Sequence, residues 1–300
     1  MNNQTQIFLF PAFVLKYLGN ETRLIQNAEI DLKSKLKAVS ELCDCHIENF
    51  HVNENNFYEQ ELENQLITYI LSCCFSDMLK NKNIQPDINV GLSMGLYAAM
   101  YSAGCISFND GALLIRRVYD AVKNITGFNE FSMLNIIGLS RNDIDELIVQ
   151  FFLHCEVVIQ NGPFSFIISG VKHDIERLQS FACKEGALHT NRFPVKIPYH
   201  SSFISLSDND KNNILKGIHI SNPESNLMSS ICGELLSDSE DISNEIFRNI
   251  TQTVHWQSIM EKMNSKHQAV FYECGPGNSL SKIVRFINGR FDFRKLSQEG

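Results

Sequence analysis

The sequence predicts an α/β fold in two parts: a large domain built on a parallel sheet, and a small βαββαβ subdomain inserted into it. Three observations carry that expectation. Gly91-Leu92-Ser93-Met94-Gly95 reads as a Gly-x-Ser-x-Gly elbow between a short strand and an apolar, small-residue helix. Apolar strand-length runs alternate with helix-period segments on both sides of the chain's middle. Between residues 126 and 196 the order changes to strand, helix, strand, strand, helix, strand, the ferredoxin-like unit that buries a small core of its own. The expected division is therefore 1–125 with 197–300 for the large domain, α/β-hydrolase-like in its elbow, and 126–196 for the small subdomain.

In chain order, Gln6–Phe10 is an apolar run closed by Pro11, which suits the first strand of a parallel sheet. Leu24–Leu42 carries apolar residues at helical spacing and is expected to be one helix; a polar loop follows to about Tyr58. Leu62–Leu79 resumes the helical period with Leu66, Ile70, Cys74 and Met78 on one stripe. Pro86–Val90 leads into the strand before the elbow, and Ser107–Val122 is a helix opened by a Ser-Phe-Asn-Asp cap. The inserted unit is expected as strand Phe131–Leu139, helix Ser140–Phe152, strands Cys155–Gln160 and Phe164–Ser169, helix Lys172–Lys184 and strand Ala187–Val195. The large domain then resumes with helical Phe203–Leu215, a strand near Asn226–Cys232, helical Ile242–Met263, strand Ala269–Glu273 and helix Leu280–Ile287.

The bulk properties exclude several classes of function. A chain of 300 residues with 44% hydrophobic and 20% charged residues is ordinary for a globular protein with a substantial core. A net charge of −8 disfavours nucleic acid or an anionic membrane as the main partner. The longest apolar runs, such as Ile7–Leu15, fall short of a bilayer span, so a cytoplasmic protein is expected. Nine cysteines without framework spacing point to reduced thiols, and Cys43-Asp44-Cys45-His46 lacks the second pair that a zinc site needs. No metal is expected.

At the elbow, the two glycines allow a turn that side chains would crowd, and the turn presents Ser93 at the head of a helix. There its oxygen can attack a carbonyl, and free helix N–H groups favour the negative charge that develops. A tight strand–helix turn with no chemistry is the alternative use of the same pattern.

Five separated stretches, in order, resemble the malonyl-CoA:acyl-carrier-protein transacylases and the acyltransferase domains of polyketide synthases. Phe10-Pro11 resembles their N-terminal Phe-Pro-Gly-Gln-Gly, and Gly91–Gly95 their Gly-His-Ser-x-Gly. Asn161-Gly162-Pro163 with Ile168-Ser169-Gly170 resembles the Asn-Ser-Pro turn and the strand after it. Pro198-Tyr199-His200-Ser201 resembles the catalytic-histidine segment. Val254-His255-Trp256 and Glu273-Cys274-Gly275-Pro276-Gly277 resemble the Val-x-Trp and Glu-x-Gly-Pro-Gly stretches. The resemblance implies that Ser93 takes an acyl group from a thioester while His200 removes the serine proton and returns it to the leaving thiol. It places the oxyanion-hole amides at Met94 and Phe13. It also assigns the carbonyl that orients the histidine to Asn249, whose side chain is then expected to be weakly constrained.

The departures from the family pattern bear on the acyl group. Phe13 stands where the family has its loop glutamine, Leu92 replaces the histidine before the serine, and Leu96 replaces the glutamate after the second glycine. An ungapped count places the malonyl-gripping arginine at Val118, with Arg117 and Arg116 one and two places early. One residue turns a helical side chain by about 100 degrees, so only a register slip would return Arg117 to that role. Leu92, Val118, Arg117 and Asn161 are thus the acyl-pocket candidates. A pocket without the arginine suits an uncharged acyl group, since a buried carboxylate lacking its bidentate partner costs several kcal/mol.

The expected function is a trans-acting acyl-carrier-protein hydrolase, or a transferase of uncharged short acyl groups, in polyketide or fatty-acid biosynthesis. Malonyl-CoA:acyl-carrier-protein transfer is the alternative, and an inactive docking module a third. No cofactor is expected, with coenzyme A or phosphopantetheine entering as substrate. An acyl carrier protein is the expected partner of a monomer, met through Arg192, Lys196, Lys282 and Arg285.

Overall fold

The apolar runs and helical stripes assemble into two sheets in a computed structural model, which describes residues 4–12, 17–48, 60–127, 130–193, 195–266 and 268–294. Strand β1 (Gln6–Phe10) is followed by helices α1 (Glu21–Asn27), α2 (Leu32–Cys43) and α3 (Glu61–Asn81). Then come β2 (Ile88–Gly91), α4 (Gly95–Ser102) and α5 (Phe108–Thr126). The segment expected as one helix over 24–42 is two helices. Glu29 adopts φ 57° between them, and the Asp31 side chain accepts from the Ser34 amide to start α2 afresh.

The inserted unit runs β3 (Phe131–Ile137), α6 (Arg141–Gln150), β4 (Cys155–Gly162), β5 (Ser165–Val171), α7 (Lys172–Lys184) and β6 (His189–Phe193). Its sheet has the order β4-β5-β3-β6 with antiparallel pairing throughout, the ferredoxin-like arrangement. Its core is built from Leu134, Ile136, Ile144, Phe166, Ile168, Ile175 and Leu178. Ser140 caps α6 in a capping box with Asp143.

The large domain resumes with α8 (Asp208–Leu215), β7 (Asn226–Met228), β8 (Leu235–Leu236), α9 (Ser239–Thr251), α10 (Trp256–Asn264) and β9 (Val270–Glu273). It ends with α11 (Ser279–Ile283), a 3-10 turn at Val284–Phe286, and β10 (Asp292–Arg294). Two expected helices are shorter than their apolar pattern implied. Ser207 caps α8 with Asp210 as partner, so the helix begins at Asp208 rather than Phe203. The pattern over 242–263 is broken at Gln252–His255, where the chain turns extended to pair with the small sheet.

The larger sheet has the order β10-β9-β1-β2-β7-β8, parallel except for the β7–β8 pair. β1 is buried on both faces: Phe8 and Phe10 enter the core under α3, α4 and α5, while Ile7 and Leu9 enter the core under α10 and α11. Glu273, at the end of β9, accepts from the amides of Leu280 at 2.8 Å and Ser281 at 3.0 Å, closing the first turn of α11. The two sheets are stitched through the extended break before α10. Gln160 N–H donates to the Val254 carbonyl at 2.9 Å, and Val254 N–H to the Val158 carbonyl at 2.9 Å. No helix among the described residues is long and apolar enough to cross a membrane.

Helix α4 lies so close to β1 that a Cβ on Gly95 would stand 2.1 Å from the Phe10 carbonyl oxygen, and one on Gly91 would stand 2.2 Å from Gly95. Both contacts are with backbone, which cannot swing aside. Gly95→Ala is therefore expected to lower folding stability by about 2–3 kcal/mol, measured by urea unfolding, because the helix must lift off the strand.

Candidate active site

The elbow holds Ser93 at φ 55°, a left-handed conformation rare for a residue with a side chain, and thereby points its hydroxyl away from the sheet. The chain is pinned there by the Leu92 amide, which donates to the Phe10 carbonyl at 2.9 Å, and by the Leu96 amide, which donates to the Ser93 carbonyl at 3.0 Å. Met94 follows at the N-terminal edge of α4. Phe13 lies outside the described residues.

His200 comes to this serine from 107 residues further along the chain, with Ser93 Oγ and His200 Nε2 2.6 Å apart. It too has positive φ, 65°. Its amide donates to the Ile250 carbonyl at 2.8 Å. The next residue, Ser201, donates its hydroxyl to the Pro198 carbonyl. Ser202 is held by Glu156 of the small sheet, through its amide at 3.0 Å and through its hydroxyl. The histidine therefore rests on both parts of the fold.

The ring of His200 is buried, and that burial disfavours the charged form strongly enough to push it down to about 4. The carbonyls of Asn249 and Gln252 beside it work in the opposite sense, although Nδ1 makes no hydrogen bond of good geometry. The imidazole is thus neutral near pH 7 and free to accept a proton from Ser93. Asn249 itself reaches the elbow. Its side chain, expected to be weakly constrained, donates from Nδ2 to the Ser93 carbonyl at 2.8 Å and so ties α9 to the elbow.

Ser93 and His200 open onto a cavity of about 280 Å³ between the two sheets. Its walls are mostly apolar: Leu92, Tyr97, Ile115, Val118, Met133, Ile159, Ile167, Phe193 and Val195 contribute. Of the four acyl-pocket candidates, Leu92 and Val118 line it. Arg117 does not; it turns to α8, where Nη1 donates to the carbonyls of Ile214 and Lys216. The register slip that would bring Arg117 into the pocket is thereby corrected. Arg116 is likewise engaged, with Asp120 at 2.7 Å and the Cys43 carbonyl. Asn161 is buried in β4 but is not among the lining residues, because a bulge between Gln160 and Gly162 changes which side chains of that strand face the cavity. Ile159 faces it instead.

Among the proposed docking cations, Lys282 is exposed at the cavity, and Arg285 and Lys196 are exposed nearby in sequence. Arg192 is paired with Glu176 at 2.6 Å. Residue-by-residue reading missed Glu61, Asn64 and Gln65, which bring polar groups into the cavity from the first turns of α3. Their spacing put them on one helix face, but only the packing of α3 shows which face meets the site.

No family model matches the chain. It is 22% identical to the malonyl CoA-acyl carrier protein transacylase of Bacillus subtilis over 294 residues, covering 94% of this chain and 90% of that protein. It is 23% identical to a polyketide biosynthesis malonyl CoA-acyl carrier protein transacylase of Bacillus velezensis over 237 residues, covering 78% and 80%. In structure it matches the malonyl CoA-acyl carrier protein transacylase of Coxiella burnetii with a TM-score of 0.87 at 21% identity, covering 99% of this chain and 95% of that one. A transacylase solved with a type II polyketide-synthase acyl-carrier protein matches with a TM-score of 0.84 at 19% identity, covering 97% and 95%. The chain has their fold and the sequence likeness of an acyltransferase relative.

Two outcomes are expected at this site. Acylation of Ser93, followed by rapid-quench mass spectrometry, should stay level from pH 8 down to about 5.5 and fall only toward the low value held by His200, instead of breaking near the ordinary histidine value of about 6.5. Asn249→Ala should slow that acylation about tenfold by loosening the elbow, with the fold retained by circular dichroism.

Proposed function

We propose that this relative of the malonyl CoA-acyl carrier protein transacylases moves short, uncharged acyl groups between thioesters, with an acyl carrier protein as donor or acceptor, through an acyl-Ser93 intermediate. The Ser93–His200 contact of 2.6 Å supports the reaction, and the apolar wall at Val118 carries the choice of acyl group. Ser93 Oγ attacks the thioester carbonyl as its proton passes to His200 Nε2. The tetrahedral oxyanion is met by the Met94 N–H at the head of α4, with a second amide expected from Phe13. Collapse breaks the carbon–sulfur bond, and His200 returns the proton to the departing thiolate. An incoming phosphopantetheine thiol then attacks the ester, giving its proton to His200, which passes it to Ser93 Oγ as the ester breaks.

The relatives described above are named for transfer. Carrier-protein acyl transfer therefore stands ahead of the acyl-carrier-protein hydrolase expected from sequence. Those same names favour a second reading, malonyl transfer from coenzyme A. Against it stands the chemistry of the pocket. Val118 occupies the position counted for the carboxylate-gripping arginine, Arg117 is engaged elsewhere, and Glu61 contributes an acid to the lining. Among the described lining residues Lys282 is the cation, and it is exposed. A buried carboxylate without a bidentate partner loses several kcal/mol. The position of Lys282 suits instead the phosphate-bearing part of coenzyme A or phosphopantetheine, together with the acidic carrier.

Intact mass spectrometry after brief exposure to malonyl-, acetyl- and butyryl-coenzyme A, then addition of carrier protein, tests the reading. Acetyl or butyryl is expected to appear on Ser93 and move to the carrier, with malonyl at least about 100-fold slower, a difference near 2.7 kcal/mol. Ser93→Ala should abolish every adduct. A malonyl adduct that forms fastest and passes to the carrier would establish malonyl transfer; an acetyl adduct that drains into water and leaves the carrier unloaded would establish the hydrolase.

A further inference from the structure

Glu61, Gln65 and Tyr199 form a polar cluster in the lining of the mostly apolar cavity. Glu61 and Gln65 stand one turn apart on α3, with Gln65 Nε2 3.4 Å from Glu61 Oε1. The Lys196 amide is 3.5 Å from Glu61 Oε2. Tyr199 precedes His200, and its hydroxyl is shielded from solvent with no hydrogen bond of good geometry, although Gln65 lies beside it. Among the described residues, both of these contacts of Glu61 are at the long limit for a hydrogen bond. A buried, unsatisfied hydroxyl costs free energy unless something meets it, and so does an acid this loosely held. Neither is used by the Ser93–His200 chemistry.

We propose that this cluster recognises a hydroxyl group on the acyl chain, so that the preferred substrates are short hydroxyacyl thioesters. The proposal rests on the acyl-Ser93 reading above and names the substrate class within it. A hydroxyl both donates and accepts: it can donate to the Glu61 carboxyl or to Tyr199 Oη, and accept from the Tyr199 hydroxyl or the Gln65 amide. A carboxylate can only accept, and would face Glu61. A plain hydrocarbon would cover the cluster and leave its polar atoms unpaired, and sites built to pair a substrate hydroxyl discriminate most strongly against the analogue that lacks it. The charges around Glu61 are consistent with a neutral ligand. Desolvation pushes its carboxyl up to about 7 against the smaller opposing pull of Lys196 and Lys123, and Tyr119 and Tyr199 are its phenolic neighbours. Near neutrality it therefore presents both a donor and an acceptor form.

Competition between butyryl-, 3-hydroxybutyryl- and 4-hydroxybutyryl-N-acetylcysteamine for Ser93, read by intact mass, tests this directly. The better hydroxybutyryl ester is expected to acylate Ser93 with kcat/KM about tenfold above butyryl. That ratio should fall to near one in Glu61→Leu and in Tyr199→Phe, and should stay within threefold of the original in Glu61→Gln. Because the ratio is read within each protein, a loss of activity common to all three esters cancels. A wild-type ratio of one or less, with butyryl still loading Ser93, overturns the proposal and leaves acyl transfer standing. A ratio unchanged in Glu61→Leu and Tyr199→Phe overturns the assignment to this cluster. Absence of any Ser93 adduct from all three esters overturns the acyl-transfer reading and the proposal with it.

Discussion

The backbone of α4 rests on the backbone of β1, and the candidate site depends on that contact. Gly95 sits against the Phe10 carbonyl, and Gly91 sits against Gly95 itself, with no space for a Cβ at either position. This approach forces the turn between β2 and α4 to be short, and the short turn places Ser93 in its left-handed conformation. The cost of that conformation is met by the surrounding hydrogen bonds from Leu92 and Leu96 and by Asn249. The same contact brings Pro11 near Gly275, so the loops leaving β1 and β9 are packed together beside the elbow.

The cavity beside Ser93 and His200 is walled by well-ordered packing. Leu92 and Val118 are well packed, at 6% and 4% exposure, and make that part of the wall apolar. Arg116 and Arg117 have structural uses, one with Asp120 and the other with the carbonyls that end α8. Burial of His200 follows from the same apolar lining. A dry wall favours a neutral imidazole, which suits proton abstraction from a serine hydroxyl.

Much of this was legible in the residues because the signals were local. The Gly-x-Ser-x-Gly spacing, the caps at Ser107 and Ser140, and the alternating runs of the small sheet are set by nearest neighbours along the chain. Other features arise from contacts distant in sequence. The helical pattern over 242–263 continues through Val254, yet that residue is captured by β4 and the helix breaks. Asn161 carries a polar side chain at a plausible position, but a bulge in its strand removes it from the lining. Glu61 and Tyr199 meet only because α3 packs beside the histidine loop. Phe13 stands outside the described residues, and its expected role rests on the resemblance alone.

The histidine loop is fastened at two ends. Its base is hydrogen-bonded to Ile250 of the large domain, and two residues later Ser202 is fastened to Glu156 of the small sheet. The extended break at Val254 joins the same two bodies a second time. These two ties hold the small sheet, the imidazole and the elbow of the large domain in one fixed relation. Proton transfer is sensitive to fractions of an ångström, so the 2.6 Å separation of Ser93 Oγ and His200 Nε2 is held from both sheets at once.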